Sequence, residues 1–447
     1  MKATCHHRLP GLGDHYYPGL GNSGYDARHY DVRLKVEPDS NKVVGSSQMT
    51  AQALQDLSQF NLDFHGCQVD HVEVNGEEAF FQRQGDELTV VPATPLQSGQ
   101  QFEVAVDYSG QPTAKNSLAG PSLVGWKHSP YGVVVDSQPD GGQTWLPVND
   151  HPRDKATYSM SVDVPKPYVV AANGTLLAVD DQGDRHTYHW SSRDPMASYL
   201  ATVNIGNYLR EDSVGPNGLP IRNYFPPELA DKARHDFGRT PEMLEFFGNL
   251  FGAYPYEAYG VIVVNDPKAV SGAMETQTLS LFDPSMVTGD RTNEDLVAHE
   301  LAHHWFGNLV SVSQWSELWL HEGFASYCEW LWLEHTQGSA ALEEKATQAR
   351  NSLAQEPGIA IGTPPADDLF HGQVYLKGAL ALHTLRREVG DEAFFAGVRN
   401  YLQTHAGEGD KNPLISDFQQ AMEKAARQPL GEFFQAWLYD TQLPPAA

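Results

Sequence analysis

Two histidines four residues apart, with a glutamate directly after the first, form the strongest chemical pattern in the sequence. They are His299, Glu300 and His303, in a segment that reads His-Glu-Leu-Ala-His. Positions i and i+4 of an α-helix differ by only about 40° around the axis, so both imidazoles can reach one ion from the same face. Neutral imidazole is a good ligand for zinc. The pattern therefore predicts a metal site on a helix.

A catalytic zinc site needs a third protein ligand and an open position for water. Glu322 is the strongest candidate, because its distance from the second histidine suits a helix, a reversal and a returning helix. We therefore predict one Zn²⁺ per chain, bound by His299, His303 and Glu322. Glu300 stands beside the first ligand, where its carboxylate can accept a proton from the attacking water and deliver it to the departing amine.

Other side chains near this pattern have simpler interpretations. A pair of ordinary helix histidines is the alternative to a metal site, since so short a pattern also arises by chance. His304 and His321 adjoin the predicted ligands and are interpreted as structural. Glu329 lies two helical turns after Glu322 on roughly the same face, which makes it a candidate for orienting a ligand histidine.

Three separated segments resemble the aminopeptidase N family of zinc metallopeptidases, which are gluzincins. They read HELAHHWFGNLVS, ELWLHEGFASY and Gly-Ala-Met-Glu-Thr, the last at residues 272–276. The resemblance implies that Glu275 binds the protonated α-amine of the substrate. A charged contact at a fixed distance from the metal would then place only the first carbonyl over it.

The same segment is expected to hold the rest of the substrate. The resemblance implies that Gly272 and Ala273 lie along the substrate backbone as an edge strand, and we expect Met274 to line the pocket for the first side chain. Thr276 stands where the family has asparagine, which leaves the geometry of this loop open.

Two further assignments come from the resemblance. The family carries a second amine-binding residue shortly after a Ser/Thr-Gln pair, and here Ser137 and Gln138 are followed by Pro139 and Asp140. Asp140 is the first candidate and Gln138 the second, although either is equally well interpreted as a turn residue. Tyr375 begins a Tyr-Leu-Lys-Gly segment, which implies that its hydroxyl stabilises the oxyanion. Without the resemblance it would be interpreted as a packing tyrosine.

The elements that position these residues differ between the two halves of the chain. Apolar residues alternate with period two, as in half-buried strands, at 30–36, 102–108, 158–164 and 199–205. Asn75-Gly76 and Asn173-Gly174 are typical of hairpin turns and favour antiparallel connections. After about Tyr208 the spacing becomes helical, apart from a short buried strand at 261–264.

We therefore predict a multi-domain protein with an antiparallel β-sandwich at residues 1–208. The resemblance implies a thermolysin-like catalytic domain of mixed α/β, mainly helical structure at residues 209–447. Thr292, with Asp295 in a capping box, is expected to begin the metal-binding helix and Gly307 to end it. Ser316 is expected to cap the next helix.

Composition excludes several classes of protein. The net charge of −27 argues against a nucleic-acid partner, because phosphate binding depends on clusters of lysine and arginine. No stretch of the sequence has the roughly 18 apolar residues that a membrane span needs, and the N-terminus lacks the apolar core of a signal peptide. Cys5, Cys67 and Cys328 are widely spaced and fit free thiols in a reducing compartment. We expect a cytoplasmic protein, either a monomer or a weak oligomer.

These observations predict a zinc-dependent aminopeptidase acting on peptides with a free N-terminus. Three alternatives stay open: a thermolysin-like endopeptidase, which needs no amine clamp, epoxide hydrolysis, known in one branch of the family, and a non-catalytic scaffold that contains zinc. Larger relatives continue into further domains that enclose the active site, whereas this sequence stops near Ala447. A more open cleft, or one covered by a second subunit or the β-domain, is therefore expected.

Overall fold

Strands dominate the first half of the structure. The computed structural model describes residues 11–407 and 412–445. Its strands before the first helix are β1 (Tyr25–Glu37), β2 (Lys42–Ala53), β3 (Phe60–Asp63), β4 (Gln68–Val74), β5 (Glu77–Glu78), β6 (Phe80–Gln84), β7 (Glu87–Val91), β8 (Gln101–Gly110), β9 (Lys115–Asn116), β10 (Leu123–Ser129), β11 (Gly132–Asp136), β12 (Ala156–Pro165), β13 (Val169–Ala172), β14 (Thr175–Asp181), β15 (Arg185–Met196), β16 (Val203–Gly206), β17 (Leu209–Val214) and β18 (Pro220–Phe225).

These strands form layered sheets, as the sequence predicted. The largest sheet has eight strands in the order β14-β15-β12-β1-β2-β8-β4-β5, and a five-stranded sheet has the order β13-β16-β11-β10-β9. Alternate residues of β1, β8 and β12 are buried, because a half-buried strand turns every second side chain into the core. All these pairings are antiparallel except that of β1 with β12, which is parallel.

Two expectations for the first half need correction. Residues 199–205 are not one alternating strand: Ser198–Leu200 is a 3-10 turn, β16 starts only at Val203, and every residue in the segment is buried. Asn75-Gly76 does join the paired strands β4 and β5. Asn173-Gly174, however, joins β13 to β14, which lie in different sheets, so it is a crossover between layers and not a hairpin turn.

Helices dominate the second half and pack around one more sheet. The helices are α1 (Ala230–Asp236), α2 (Thr240–Phe251), α3 (Glu294–Ala302), α4 (Trp319–Gln337), α5 (Ser339–Leu353), α6 (Gly372–Val389), α7 (Asp391–His405), α8 (Ile415–Ala426) and α9 (Gly431–Phe434). The strands among them are β19 (Val261–Val263), β20 (Ala273–Met274) and β21 (Ser280–Phe282). The sheet order is β17-β18-β19-β21-β20, so β20 lies at an edge.

The predicted helix caps are wrong in detail. Helix α3 begins one residue after Asn293, and the Thr292 hydroxyl donates to Asp290 instead of capping the helix. The helix also ends before Gly307, since the chain leaves α-helical geometry after His303. Ser316 lies inside a 3-10 turn that precedes α4. Caps depend on local backbone angles, which the spacing of apolar residues does not specify.

The two halves share apolar packing. Tyr224, Ile262 and Trp315 lie in the same buried cluster as the core of the β-sheets. The predicted domain boundary between residues 208 and 209 therefore stays a prediction. No helix within residues 11–407 or 412–445 is both long and apolar enough to cross a membrane.

Helices α4 and α6 approach each other through two glycines. A Cβ atom added to Gly378 would lie 2.8 Å from the Cα of Gly323, closer than packed atoms approach. This contact fixes the separation of two helices that carry predicted site residues, Glu322 on α4 and Tyr375 on α6.

We expect Gly378→Ala to lower the free energy of unfolding by about 1–3 kcal/mol, because the added methyl group overpacks a backbone contact. Gly248→Ala in α2 is the matched control, since a Cβ there meets nothing within 4 Å. It should stabilise the protein by up to about 1 kcal/mol through helix propensity. Unfolding by denaturant measures the free energy of unfolding of both variants. Equal stabilities would contradict the close contact between Gly378 and Gly323.

Candidate metal centre

The predicted metal ligands meet between α3 and α4. The Nε2 atoms of His299 and His303 each lie 3.2 Å from Oε2 of Glu322. All three residues are buried. The helical spacing of the histidines places both rings on the face of α3 that is turned toward Glu322, so the structure brings the predicted triad together.

Both histidines are held by their other ring nitrogen. Nδ1 of His299 lies 2.7 Å from Oε1 of Glu329, and Nδ1 of His303 lies 3.0 Å from the carbonyl oxygen of Phe306. A carboxylate and a carbonyl can only accept, so each Nδ1 carries the proton and donates it. In the neutral ring, each Nε2 then presents a lone pair toward Glu322, which is the tautomer that a metal ligand requires.

The charges around the triad favour a cation. Although burial opposes protonation of His303, the Glu322 and Glu275 carboxylates outweigh it and raise its pKa to about 9. Burial also opposes ionisation of Glu322, yet the two histidines hold the pKa of its carboxyl far below the usual range. The site is thus arranged for positive charge between the imidazoles and the carboxylate.

The donor set fits zinc in type and in spacing. Two ligand atoms about 2.1 Å from zinc at a tetrahedral angle lie roughly 3.4 Å apart. The observed 3.2 Å separations of the histidine nitrogens from Glu322 are close to that distance. Two imidazoles and one carboxylate leave a fourth position open, as catalytic zinc sites do.

Glu300 lies beside the triad without belonging to it. Its Oε2 atom is buried and has no hydrogen-bond partner within the described residues. Burial raises the pKa of Glu300 to about 8, against the opposing effect of the two histidines. A carboxyl group poised near neutral pH is suited to exchange protons with a bound water or substrate.

Groups from both halves of the chain donate hydrogen bonds to Glu275. The Gln138 side-chain amide donates to its Oε1 at 2.9 Å, and the Asn308 side-chain amide donates to its backbone carbonyl at 2.9 Å. Tyr199 is fully buried beside it, and burial and the nearby Glu275 and Glu322 charges raise the pKa of its hydroxyl. Burial raises the pKa of Glu275 as well.

The order of the two upstream candidates is the reverse of the expectation. Gln138 contacts Glu275, whereas Asp140 is fully buried and turned to other partners. The Asp140 carboxylate lies 3.2 Å from Nζ of Lys115 and accepts from the backbone of Leu118 at 3.3 Å. Two residues along an irregular loop point in different directions, which spacing alone does not reveal. Asp140 therefore braces the loop and does not reach the site.

Five of the predicted site residues line a cavity of about 1070 Å³. Gly272 and the two residues of the edge strand β20, Ala273 and Met274, lie along it, together with Gln138 and Tyr375. The Tyr375 ring stacks on His299, with the ring centres 6.0 Å apart. Burial raises the pKa of Tyr375 well above its usual value, so its hydroxyl keeps the proton that it would donate.

His304, His321 and Thr276 hold loops in place. Nε2 of His304 accepts from the backbone of Thr278 at 3.1 Å, and Nε2 of His321 accepts from Val312 at 3.0 Å. Burial lowers the pKa of each histidine to about 3, so both stay neutral. The Thr276 hydroxyl donates to the carbonyl of Leu279 within its own turn.

Sequence reasoning missed Asn308 and Tyr199. Asn308 lies in the segment HWFGN, directly after the metal-binding helix, so its closeness in sequence to the metal ligands could have identified it as a site residue. Tyr199 lies about 75 residues before Glu275 in another half of the chain, and only the fold brings it close. No local pattern identified it.

Family models match both halves of the chain. A model described as "Peptidase M1 N-terminal domain" matches residues 26–200, and one described as "Peptidase family M1 domain" matches residues 235–437. Together they span most of the sequence. These matches support the predicted order of a β-rich domain before a mainly helical one.

Known proteins similar to this chain include peptidases. Human glutamyl aminopeptidase is 29% identical over 391 residues, which cover 80% of this chain but only 40% of that protein. Leukotriene A-4 hydrolase of Xenopus laevis is 27% identical over 407 residues, covering 86% of this chain and 66% of that protein. The chain thus spans less than half the length of the human relative.

A solved structure is similar over nearly the whole length of both chains. It is the M1 zinc metallopeptidase from Deinococcus radiodurans, with a TM-score of 0.88, 28% sequence identity and coverage of 97% of this chain and 98% of that one. A mutant of that protein has been solved bound to a Tyr-Ser-Ala substrate.

We expect Glu329→Gln to weaken zinc affinity about 10–100-fold, because the acceptor that fixes the His299 tautomer loses its charge. Glu334→Gln is the matched control: it lies on the same helix, and its carboxylate contacts Arg386 at 2.7 Å instead of a ligand. Competition with a chromophoric chelator measures both affinities. Equal affinities for the two variants would show that Glu329 does not support the metal.

Proposed function

This chain belongs to peptidase family M1, and we propose that it is a zinc-dependent aminopeptidase that removes the N-terminal residue from peptides. The whole activity is a proposal, because the chain covers only part of the curated relatives it matches. The proposed substrates are peptides with a free α-amine. The similarity to a metallopeptidase solved with a tripeptide supports this substrate class.

One observation carries the proposal: a third buried carboxylate faces the metal site. A carboxylate oxygen of Glu275, one of Glu300 and a ring nitrogen of His303 all lie within 4.8 Å of one another. An endopeptidase has no use for an anion at this place, because the chain that it cuts continues in both directions. A protonated α-amine is the cation that Glu275 would bind.

Each residue of the site has a separate role in the proposed reaction. Glu275, with Gln138 fixing one of its oxygens, binds the α-amine, and the edge strand β20 offers unpaired backbone groups to the substrate. Glu300 takes a proton from the attacking water and gives it to the departing amine. Tyr375 donates a hydrogen bond to the oxyanion that develops on the carbonyl.

The zinc held by His299, His303 and Glu322 would polarise the scissile carbonyl and lower the pKa of a water molecule toward about 7. The fixed distance between this metal and Glu275 would then place only the first peptide bond of the substrate at the metal. The free energy of binding the α-amine is used to position the carbonyl. Substrates whose α-amine is blocked lack this contact and should therefore react slowly.

The cell compartment is also a proposal. Cys67 and Cys328 are both free and buried, each in a different hydrophobic cluster, while Cys5 lies outside the described residues. Unpaired thiols support a reducing, cytoplasmic setting. A monomer or weak oligomer stays our expectation.

The experiment that tests the proposed function compares wild type with Glu300→Gln on a panel of aminoacyl-anilides. The variant keeps the shape of the side chain but removes the base, so we expect it to retain one zinc and lose turnover by at least about 10²-fold. Zinc content, measured by atomic emission, is the control for the site. An active Glu300→Gln protein would refute the assigned role, and an inactive zinc-loaded wild type would favour a scaffold.

Glu275→Gln tests the amine clamp separately. Losing one charge-assisted contact should reduce kcat/KM on a free aminoacyl-anilide by about 10–100-fold. The N-acetylated form of the same substrate is the internal control, because it carries no ammonium group, and its rate should not fall. Wild-type enzyme that cleaves both forms equally fast would instead support an endopeptidase.

A further inference from the structure

A lysine of the β-rich half reaches into the loop that follows the metal-binding helix. Nζ of Lys155 donates to the backbone carbonyls of Asn308 at 2.7 Å and Leu309 at 3.0 Å. No carboxylate is among its hydrogen-bond partners in the described part of the chain. Burial without such a partner lowers its pKa to about 7. An amine held this way needs an explanation, because burying it costs free energy that an apolar side chain would not.

The segment that carries Lys155 is firmly anchored. Asp154 accepts from the side chain of Asn149 and from the backbone of Ala27 at 3.1 Å, and His151 contacts Asp14 at 3.2 Å. Lys155 therefore extends from a fixed base just before β12.

Asn308 connects this lysine to the substrate-binding region. Its carbonyl accepts from Lys155, its backbone N–H donates to the carbonyl of His303 at 3.0 Å, and its side-chain amide donates to the backbone carbonyl of Glu275 at 2.9 Å. One fully buried residue thus receives the lysine on one side and holds the main chain of Glu275 on the other.

We propose that Lys155 is a positioning residue for the amine clamp, which sets the place of Glu275 through Asn308. This inference rests on the proposed aminopeptidase function. Lys155 touches neither substrate nor metal ligands, so its effect is on where the Glu275 carboxylate stands. Removing its two hydrogen bonds frees the 308–309 carbonyls and loosens the Asn308 amide, which holds Glu275 at its backbone.

The chain contains a matched control with the same chemistry at another place. Nζ of Lys377 donates to the carbonyls of Ile359 at 2.9 Å and Asp440 at 2.7 Å, and burial lowers its pKa to about 8. It joins α6 to the C-terminal segment, and neither of these two hydrogen bonds goes to the 308–309 loop. Loss of Lys377 should therefore cost stability without changing the amine clamp.

The test compares Lys155→Met with Lys377→Met, each full-length and zinc-loaded. The measured quantity is the ratio of kcat/KM for a free aminoacyl-anilide to that for its N-acetylated form. We expect Lys155→Met to lower this ratio about tenfold, mainly through KM, because two hydrogen bonds are lost from the residues that support the clamp. Lys377→Met should keep the wild-type ratio even if it lowers the thermal midpoint of unfolding as much as Lys155→Met does.

A second variant keeps the proposal testable if Lys155→Met does not fold. Asn308→Ala removes the amide that holds Glu275, and it should lower the same ratio. In the double variant the effects should be less than additive, because both residues act through one contact. A wild-type ratio in Lys155→Met, or full additivity, would overturn the inference. A wild type without any preference for the free amine would instead refute the proposed function itself.

Discussion

The interaction on which the site depends is the pair of hydrogen bonds that hold the Nδ1 protons of His299 and His303. Glu329 and the carbonyl of Phe306 accept these protons, at 2.7 Å and 3.0 Å, so both Nε2 atoms must face Glu322 with lone pairs or extra protons. Lone pairs facing a carboxylate repel one another unless a cation lies between them. The fold thus prepares a place for a metal ion before any ligand binds.

The carboxylates around this place also explain why an ammonium group suits the adjoining cavity. Glu275, Glu300 and Glu322 are all buried near the two imidazoles. A cation placed among these carboxyl groups would stabilise each of them in its charged form. On the proposed function, the zinc ion and the α-amine of the substrate supply that positive charge. On the same proposal, a substrate with a free N-terminus suits this cavity better than one with a blocked end.

Both halves of the chain hold Glu275, the residue of the proposed amine clamp. Gln138 comes from the β-rich half and fixes an oxygen of Glu275, while Asn308 comes from the helical half and fixes its backbone. The Asn173-Gly174 crossover adds a further link, since the Asn173 amide donates to the carbonyl of Gln277 at 2.7 Å. The first half is thus a structural part of the site as well as a separate layer of sheets.

Features that depend on regular periodicity could be predicted from the sequence alone. The i, i+4 spacing of His299 and His303 and the period-two strands follow from helix and strand geometry, so the metal pair, the class of fold and the candidate Glu322 were accessible. The loop side chains that reach the site could be identified only in the folded chain, because irregular backbone points neighbouring residues in unrelated directions. In the folded chain Gln138, and not Asp140, contacts Glu275. Tyr199 and Lys155 lie close to residues of the site that are far from them in sequence.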